Sequence, residues 1–163
     1  LYDRATETLW EQIEATGIVG PQTGEKLDLV PVSMTRWSRW KSAHPDTLVL
    51  STETGFDFDY SADRYAKYRE TVDLMFPVSR KDDRVHPKSV VFGFDIGGQK
   101  VAFTETLLEK HGTYVHNLGD REVSVSLHDD GSVTLSADEN AYEPIRLFWF
   151  AWYTFHPETE LVH

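Results

Sequence analysis

Cysteine is absent from the 163 residues. Disulfides, thiolate nucleophiles and cysteine-ligated metals are therefore excluded. Long apolar runs are also missing. The longest, IRLFWFAWY, is broken by Arg146 and falls well short of the ~20 residues of a membrane-spanning helix. Basic residues are outnumbered, 16 against 27 acidic ones, for a formal net charge of −11. That balance repels nucleic acid and anionic lipid at long range. No serine stands in a Gly-x-Ser-x-Gly elbow. GFDIGG lacks the lysine and the strand–helix context of a phosphate-binding loop. The chain opens on Leu1 rather than Met, without a charged-then-apolar leader. The expectation is a processed product or a part of something longer.

Hydrophobic residues make up 40% and aromatics 13% of the chain. A chain of this size buries roughly two-thirds of its unfolded surface and needs no metal or disulfide to fold. The clearest local signal is SVVFGFDIGGQKVAF, two alternating apolar runs around Gly97-Gly98, a dipeptide suited to a tight hairpin turn. Thr104 can cap a short helix, ETLLEK, that ends near Gly112. TYVHNL and REVSVSL read as strands joined at Gly119-Asp120, and SVTLSA as another strand after the turn HDDGS. Near the start, Leu9 and Ile13 fit a helix, whereas Trp10 and GIVG fit strands. KLDLVPV and TLVLS read as strands, and IRLFWFAWYTF as the last helix. Residues 52–88 show no convincing period. The expected class is α+β, a mostly antiparallel sheet carrying two or three short helices. One domain, 1–163, is expected, with pseudo-repeat halves 1–51 and 89–163 joined by the irregular segment 52–88.

The repeat is suggested by WSRWKSAHPDTLVL, beginning at Trp37, and WFAWYTFHPETELV, beginning at Trp149, 112 residues later (149 − 37). Both read Trp-x-x-Trp-x-x-x-His-Pro-acid-Thr with an apolar tail. Each residue has an architectural use. Ser33 can cap the first helix. Trp37 and Trp40, like Trp149 and Trp152, share a helix face that packs on the sheet. His44 and His156 meet the negative helix end, and the following proline blocks continuation. The rival reading makes His44 and His156 metal ligands or acid–base groups with Asp46 and Glu158. Each segment offers only two such groups, whereas a metal needs three or four.

Other candidates are weaker. DFDYSAD sets Asp57, Asp59, Ser61 and Asp63 on alternate residues, as in the first half of a calcium loop. Ala62 stands where the sharp-turn glycine belongs, and Tyr68 where the closing glutamate belongs. Phe56, Phe58, Tyr60, Tyr65 and Tyr68 could stack on sugar, but the preferred expectation is that they pin the loop to the core. His111, His116 and His128 flank adjacent strands and are candidate metal ligands, with Asp57, Asp59 and Asp63 as carboxylate partners. RKDDR, Arg80 to Arg84, reads as a solvated, self-paired charge cluster.

YDRATETLW, GIVGPQTGEKLDLVP, WSRWKSAHPDTLVLS, TGFDFDYSADRYAKY, DDRVHPKSVVFGFDIGGQKVAF and FWFAWYTFHPETEL together resemble consecutive blocks of the prokaryotic family called domain of unknown function 3179 (DUF3179). The resemblance implies bacterial or archaeal origin, frequent export and no established general activity. Members similar to this chain carry, ahead of the first block, a part with a Cys-Pro-x-Cys-like segment. Residues 91–126 resemble the opening of that part, with His111 and Asn117 at matching positions. SLHDDGSVTL stands where the cysteine segment would follow, so thiolate or redox chemistry is not carried over. Arg64 stands where the family commonly has proline. The chain thus resembles the rear of one repeat joined to an abbreviated second one.

The leading functional expectation is a non-catalytic, extracytoplasmic binding or assembly module within a larger complex or filament, with a protein partner or self-association through open sheet edges. No cofactor is expected on this reading. The alternatives are a divalent-metal protein or metalloenzyme using the histidines and aspartates above, and a glycan-binding surface on the tyrosine-rich loop.

Overall fold

The computed structural model describes residues 1–30, 32 and 34–163. They form two compact units, Leu1–Val32 and Ser33–His163.

In the first unit, β1 (Tyr2–Asp3), β2 (Thr8–Trp10) and β3 (Gly17–Val19) make an antiparallel sheet in that order. Thr8 and Trp10 are buried while Leu9 is exposed. That period of two settles the Leu9 segment as strand. Gly20 closes the turn after β3 with φ +115°, and a Cβ there would meet Thr8 Cα at 2.8 Å, so the turn requires glycine. The strand expected at KLDLVPV does not form among its described residues, 26–30 and 32. Lys26 makes one antiparallel bridge to Thr16, and residues 27–30 join no ladder. Leu27, Leu29 and Val30 remain exposed; an alternating pattern holds a strand only where a sheet face receives it.

The second unit is built on the hairpin of β4 (Val90–Ile96) and β5 (Gln99–Thr104). Gly97 and Gly98 turn it, both with positive φ (62° and 91°), as a two-residue turn between twisted strands demands. β10 (Ile145–Phe148) pairs antiparallel with β4, and β11 (Glu160–Val162) pairs parallel with β5, giving the order β10-β4-β5-β11. A second sheet follows chain order: β6 (Thr113–Leu118), β7 (Arg121–Leu127), β8 (Val133–Ala137) and β9 (Asn140–Tyr142). The β8–β9 turn places Asp138 and Glu139 at positive φ without a glycine.

Alternation along β4 and β5 separates two apolar faces. Phe92, Phe94, Ile96, Val101 and Phe103 join Leu118, Val123, Val125, Val133 and Leu135 of the second sheet in the main core. Val91 and Ala102 face the opposite way, against Trp149 and Trp152. The result is three layers, sheet on sheet on helix.

Among the described residues, four short helices occur. They are α1 (Trp37–Ala43), α2 (Ala66–Glu70), α3 (Glu105–His111) and α4 (Trp149–Phe155). The Thr104 hydroxyl accepts from Leu107 N at 3.3 Å, capping α3 as expected. The last helix is shorter than IRLFWFAWYTF. Its first four residues go to β10 because Ile145–Phe148 find a ladder on β4, from Ile145↔Gly93 to Phe148↔Val90. Ser33 lies outside the described residues; α1 begins after Arg36, whose backbone is extended and whose side chain makes no cap bond. TLVLS is not a strand either: residues 47–51 join no ladder.

Asp95 ties the central hairpin. Its Oδ1 accepts from Gly98 N at 2.8 Å and its Oδ2 pairs with Lys100 Nζ at 2.7 Å. The bond from Lys100, chiefly, holds this carboxyl below the usual 3.8, with burial opposing it. A depressed folded value means stabilisation that is complete above the unfolded pKa and fades as pH falls through the folded one. Asp95→Asn should therefore lower the urea midpoint at pH 7, and the gap to wild type should close below about pH 3.8. A gap that is constant from pH 7 to pH 2.5 would contradict this.

Candidate functional site

The two Trp-His segments fold into nearly the same local object. α1 and α4 each follow an extended residue, Arg36 (φ −72°, ψ 139°) and Phe148 (φ −75°, ψ 148°). Each ends on a histidine with matching dihedrals, −133° and 70° at His44, −125° and 67° at His156. His44 N donates to Trp40 O at 2.8 Å, and His156 N to Trp152 O at 2.9 Å. The indole N–H of Trp40 donates to Thr47 Oγ1 at 3.0 Å; that of Trp152 donates to Thr159 Oγ1 at 2.9 Å. The imidazoles lie against those same indoles, with centroids 4.1 Å and 4.2 Å apart. Even the back-bonds correspond, Ser42 Oγ to Ser38 O and Thr154 Oγ1 to Phe150 O. Threonine thus ties the tail back across the proline turn to the second tryptophan, and the histidine ring lies tilted against it. The motif stops a helix and redirects the chain.

Their surroundings differ. Trp152 is 1% exposed and Trp40 is 43% exposed. The Trp152 ring rests on the paired residues Gly93 and Ala102. A Cβ on Gly93 would fall 2.4 Å from the indole, so this strand position must lack a side chain. Trp149 donates its indole N–H to Asp82 Oδ1 at 3.0 Å, and the Arg84 guanidinium lies over its ring at 5.1 Å. RKDDR is therefore more than a solvated cluster: Asp82 pairs with Arg84 at 2.9 Å and also holds a buried tryptophan. After His156 the chain continues into β11 on the edge of β5. After His44 the corresponding residues, Leu48 to Leu50, meet no sheet. Leu48 is 96% and Leu50 97% exposed. α1 has no buried residue, with Trp37 and Trp40 facing outward. The tryptophan pair of α4 packs on the central sheet against Val91 and Ala102, whereas that of α1 stands half exposed.

The other candidates occupy separate places. His111 packs edge-on against Tyr114 at 5.4 Å. His116 Nε2 bonds Glu160 Oε1 at 2.7 Å, and His128 Nε2 bonds Thr134 Oγ1 at 2.8 Å. Asp59 accepts from the amide and hydroxyl of Ser61, the hydroxyl first in effect, and its carboxyl is held below the usual range. Asp63 accepts from Tyr65 N and pairs with Arg69, while Asp57 joins neither cluster. Among the described residues, no group of three His, Asp or Glu side chains is placed to hold a metal ion. Four of the five loop aromatics do not pin the segment to the core: Phe56, Phe58, Tyr60 and Tyr65 are exposed. Phe58 lies against Tyr60 at 4.8 Å and under the Arg64 guanidinium at 4.5 Å.

The segment is anchored instead by a residue the sequence reading passed over. Lys88 is 5% exposed. Its ammonium donates to the carbonyls of Tyr68, Thr71 (2.5 Å) and Asp73 (2.6 Å) and to Thr71 Oγ1 (3.1 Å), above the Tyr68 ring at 3.7 Å. These oxygens lie at and beyond the C-terminal end of α2, where a cation also meets the negative helix pole. A lone lysine before a strand carries no sequence signal for such a cage.

Three antiparallel-rich sheets with four short helices define an α+β protein whose structural signature is the Trp-His-Pro-Thr helix stop. The chain belongs to the family described as "Protein of unknown function (DUF3179)", whose model matches residues 1–144. No curated protein and no solved structure matches it. No helix among the described residues is long and apolar enough to cross a membrane.

The unequal burial predicts unequal mutational costs. Trp152→Ala should destabilise by about 3–5 kcal/mol, and Trp40→Ala by about 1 kcal/mol or less, measured by urea denaturation of the same chain. Equal costs would show that α1 is seated as firmly as α4. Lys88→Met strands three carbonyls and should cost about 1–3 kcal/mol. Trypsin should then cut faster after Lys67 and Arg69; an unchanged cleavage rate would refute the anchoring role.

Proposed function

We propose that this chain is a non-catalytic binding or assembly module with an internal duplication, working as one part of a larger complex. The observation that supports this reading is the unseated α1 segment. A helix–turn–tail unit that is core material in one place stands exposed in another, with its internal bonds intact. An exposed array of Trp37, Trp40, Val49, Leu48 and Leu50 is the kind of apolar surface that marks a protein contact. The net charge of −11 favours a protein partner over nucleic acid. The family resemblance suggests that this assembly lies outside the cytoplasm.

Exposure of the loop aromatics supports a second reading, sugar binding, because rings such as Phe56 and Tyr65 present free faces. A tyrosine and tryptophan fluorescence titration against a panel of oligosaccharides separates the two; saturable quenching abolished by Tyr65→Ala would favour sugar.

The module reading is tested by comparing surface and core variants. The triple variant Trp40→Ser, Leu48→Ser, Leu50→Ser should unfold within about 1 kcal/mol of wild type yet lose most binding of an apolar fluorescent dye. If it instead unfolds the protein, the segment is architectural and the module reading is wrong. Protein purified without chelator should carry less than about a tenth of an equivalent of any divalent metal. Stoichiometric metal lost in the His116→Ala or His128→Ala variant would replace the module reading with the metal one.

A further inference from the structure

The seated copy states what its exposed twin lacks. α4 and β11 rest on one hairpin and use two of its features. Gly93, paired with Ala102, leaves a shallow for the second tryptophan. The outer edge of β5 accepts residues 160–162 as a parallel strand.

Resting on the module reading above, we propose that residues 37–50 form the docking surface for a β-hairpin of polypeptide outside residues 1–163. Its first strand carries glycine opposite Trp40, and its second strand offers a free edge to Leu48–Leu50. Three observations select this occupant. The internal bonds of α1 and its tail already match those of the seated copy within 0.1 Å at both Trp–His–Thr contacts (2.8 against 2.9 Å and 3.0 against 2.9 Å), so the surface is preorganised. Charge is complementary to an acidic partner: α1 carries Arg39 and Lys41 and no acidic residue, so an acidic residue before the partner's turn would be drawn to it. Size points the same way. Residues 37–50, a stretch of 14 residues, fall short of the roughly 20–30 residues a side of a standard globular interface. Strand addition compensates with main-chain hydrogen bonds and is selective through alternate side-chain positions. A second copy of this chain is disfavoured because its own hairpin already holds α4 and β11.

The test uses the whole chain and a synthetic hairpin with the sequence of residues 89–104, its ends closed by a disulfide between two added cysteines. Hydrogen exchange with mass spectrometry follows residues 36–51. Saturating hairpin should slow exchange at residues 48–50 about tenfold. A hairpin with valine in place of its glycine should not, nor should the normal hairpin acting on Trp40→Ser chain. The same hairpin tethered to Leu1 through a long flexible linker raises its effective concentration and should give the larger protection. Absence of protection with both free and tethered hairpins overturns the proposal, as does equal protection by the valine hairpin. If the chain alone self-associates and shields residues 37–50, a second copy is the occupant: the hairpin proposal falls and the module reading survives. Absence of hairpin protection together with unfolding of the triple serine variant would remove both.

Discussion

An indole lying on a glycine organises the larger unit. Trp152 needs the space that Gly93 and Ala102 leave on one face of the central hairpin, and a single Cβ at Gly93 would fill it. With the ring in place, Thr159 receives its N–H, the chain turns at the proline, and β11 reaches the edge of β5. The opposite face of the same hairpin packs on the second sheet. Three layers therefore register on one pair of small residues. Interiors packed at crystal-like density leave no room for such a pair to vary.

The exposed α1 segment shows which part of that arrangement is local. Its helix stop, imidazole–indole contact and threonine tie all form without a sheet beneath them. What a sheet adds is burial of the tryptophans and a ladder for the tail. The motif is thus specified locally, and the burial of its tryptophans depends on non-local packing.

Much of this was legible from the residues. Gly97-Gly98 announces the hairpin, Thr104 and Gly112 bracket α3, and His-Pro marks both helix stops, because each is a local stereochemical demand. What escaped is non-local. TLVLS and KLDLVPV carry strand patterns but find no ladder, whereas IRLF, with helical neighbours, becomes a strand because β4 offers an edge. Asp138-Glu139 turns a hairpin without glycine, so the turn leaves no signature. Lys88 and Asp82 act through partners 15 to 67 residues away, distances at which a single sequence has no period to read. The histidines suggested convergence from their spacing; the sheet register instead gives each a separate neighbour.

The parallel pairing of β11 on β5 bears on how the protein emerges from the ribosome. Leu161 lies beside Ala102, 59 residues earlier in the chain (161 − 102). While those intervening residues are being made, the β5 edge and the glycine shallow stand open to anything nearby. Long-range closure of this kind is slow compared with hairpin formation. Closure of this sheet therefore waits on the last residues of the chain, and the edge of β5 is the last of its ladders to be filled.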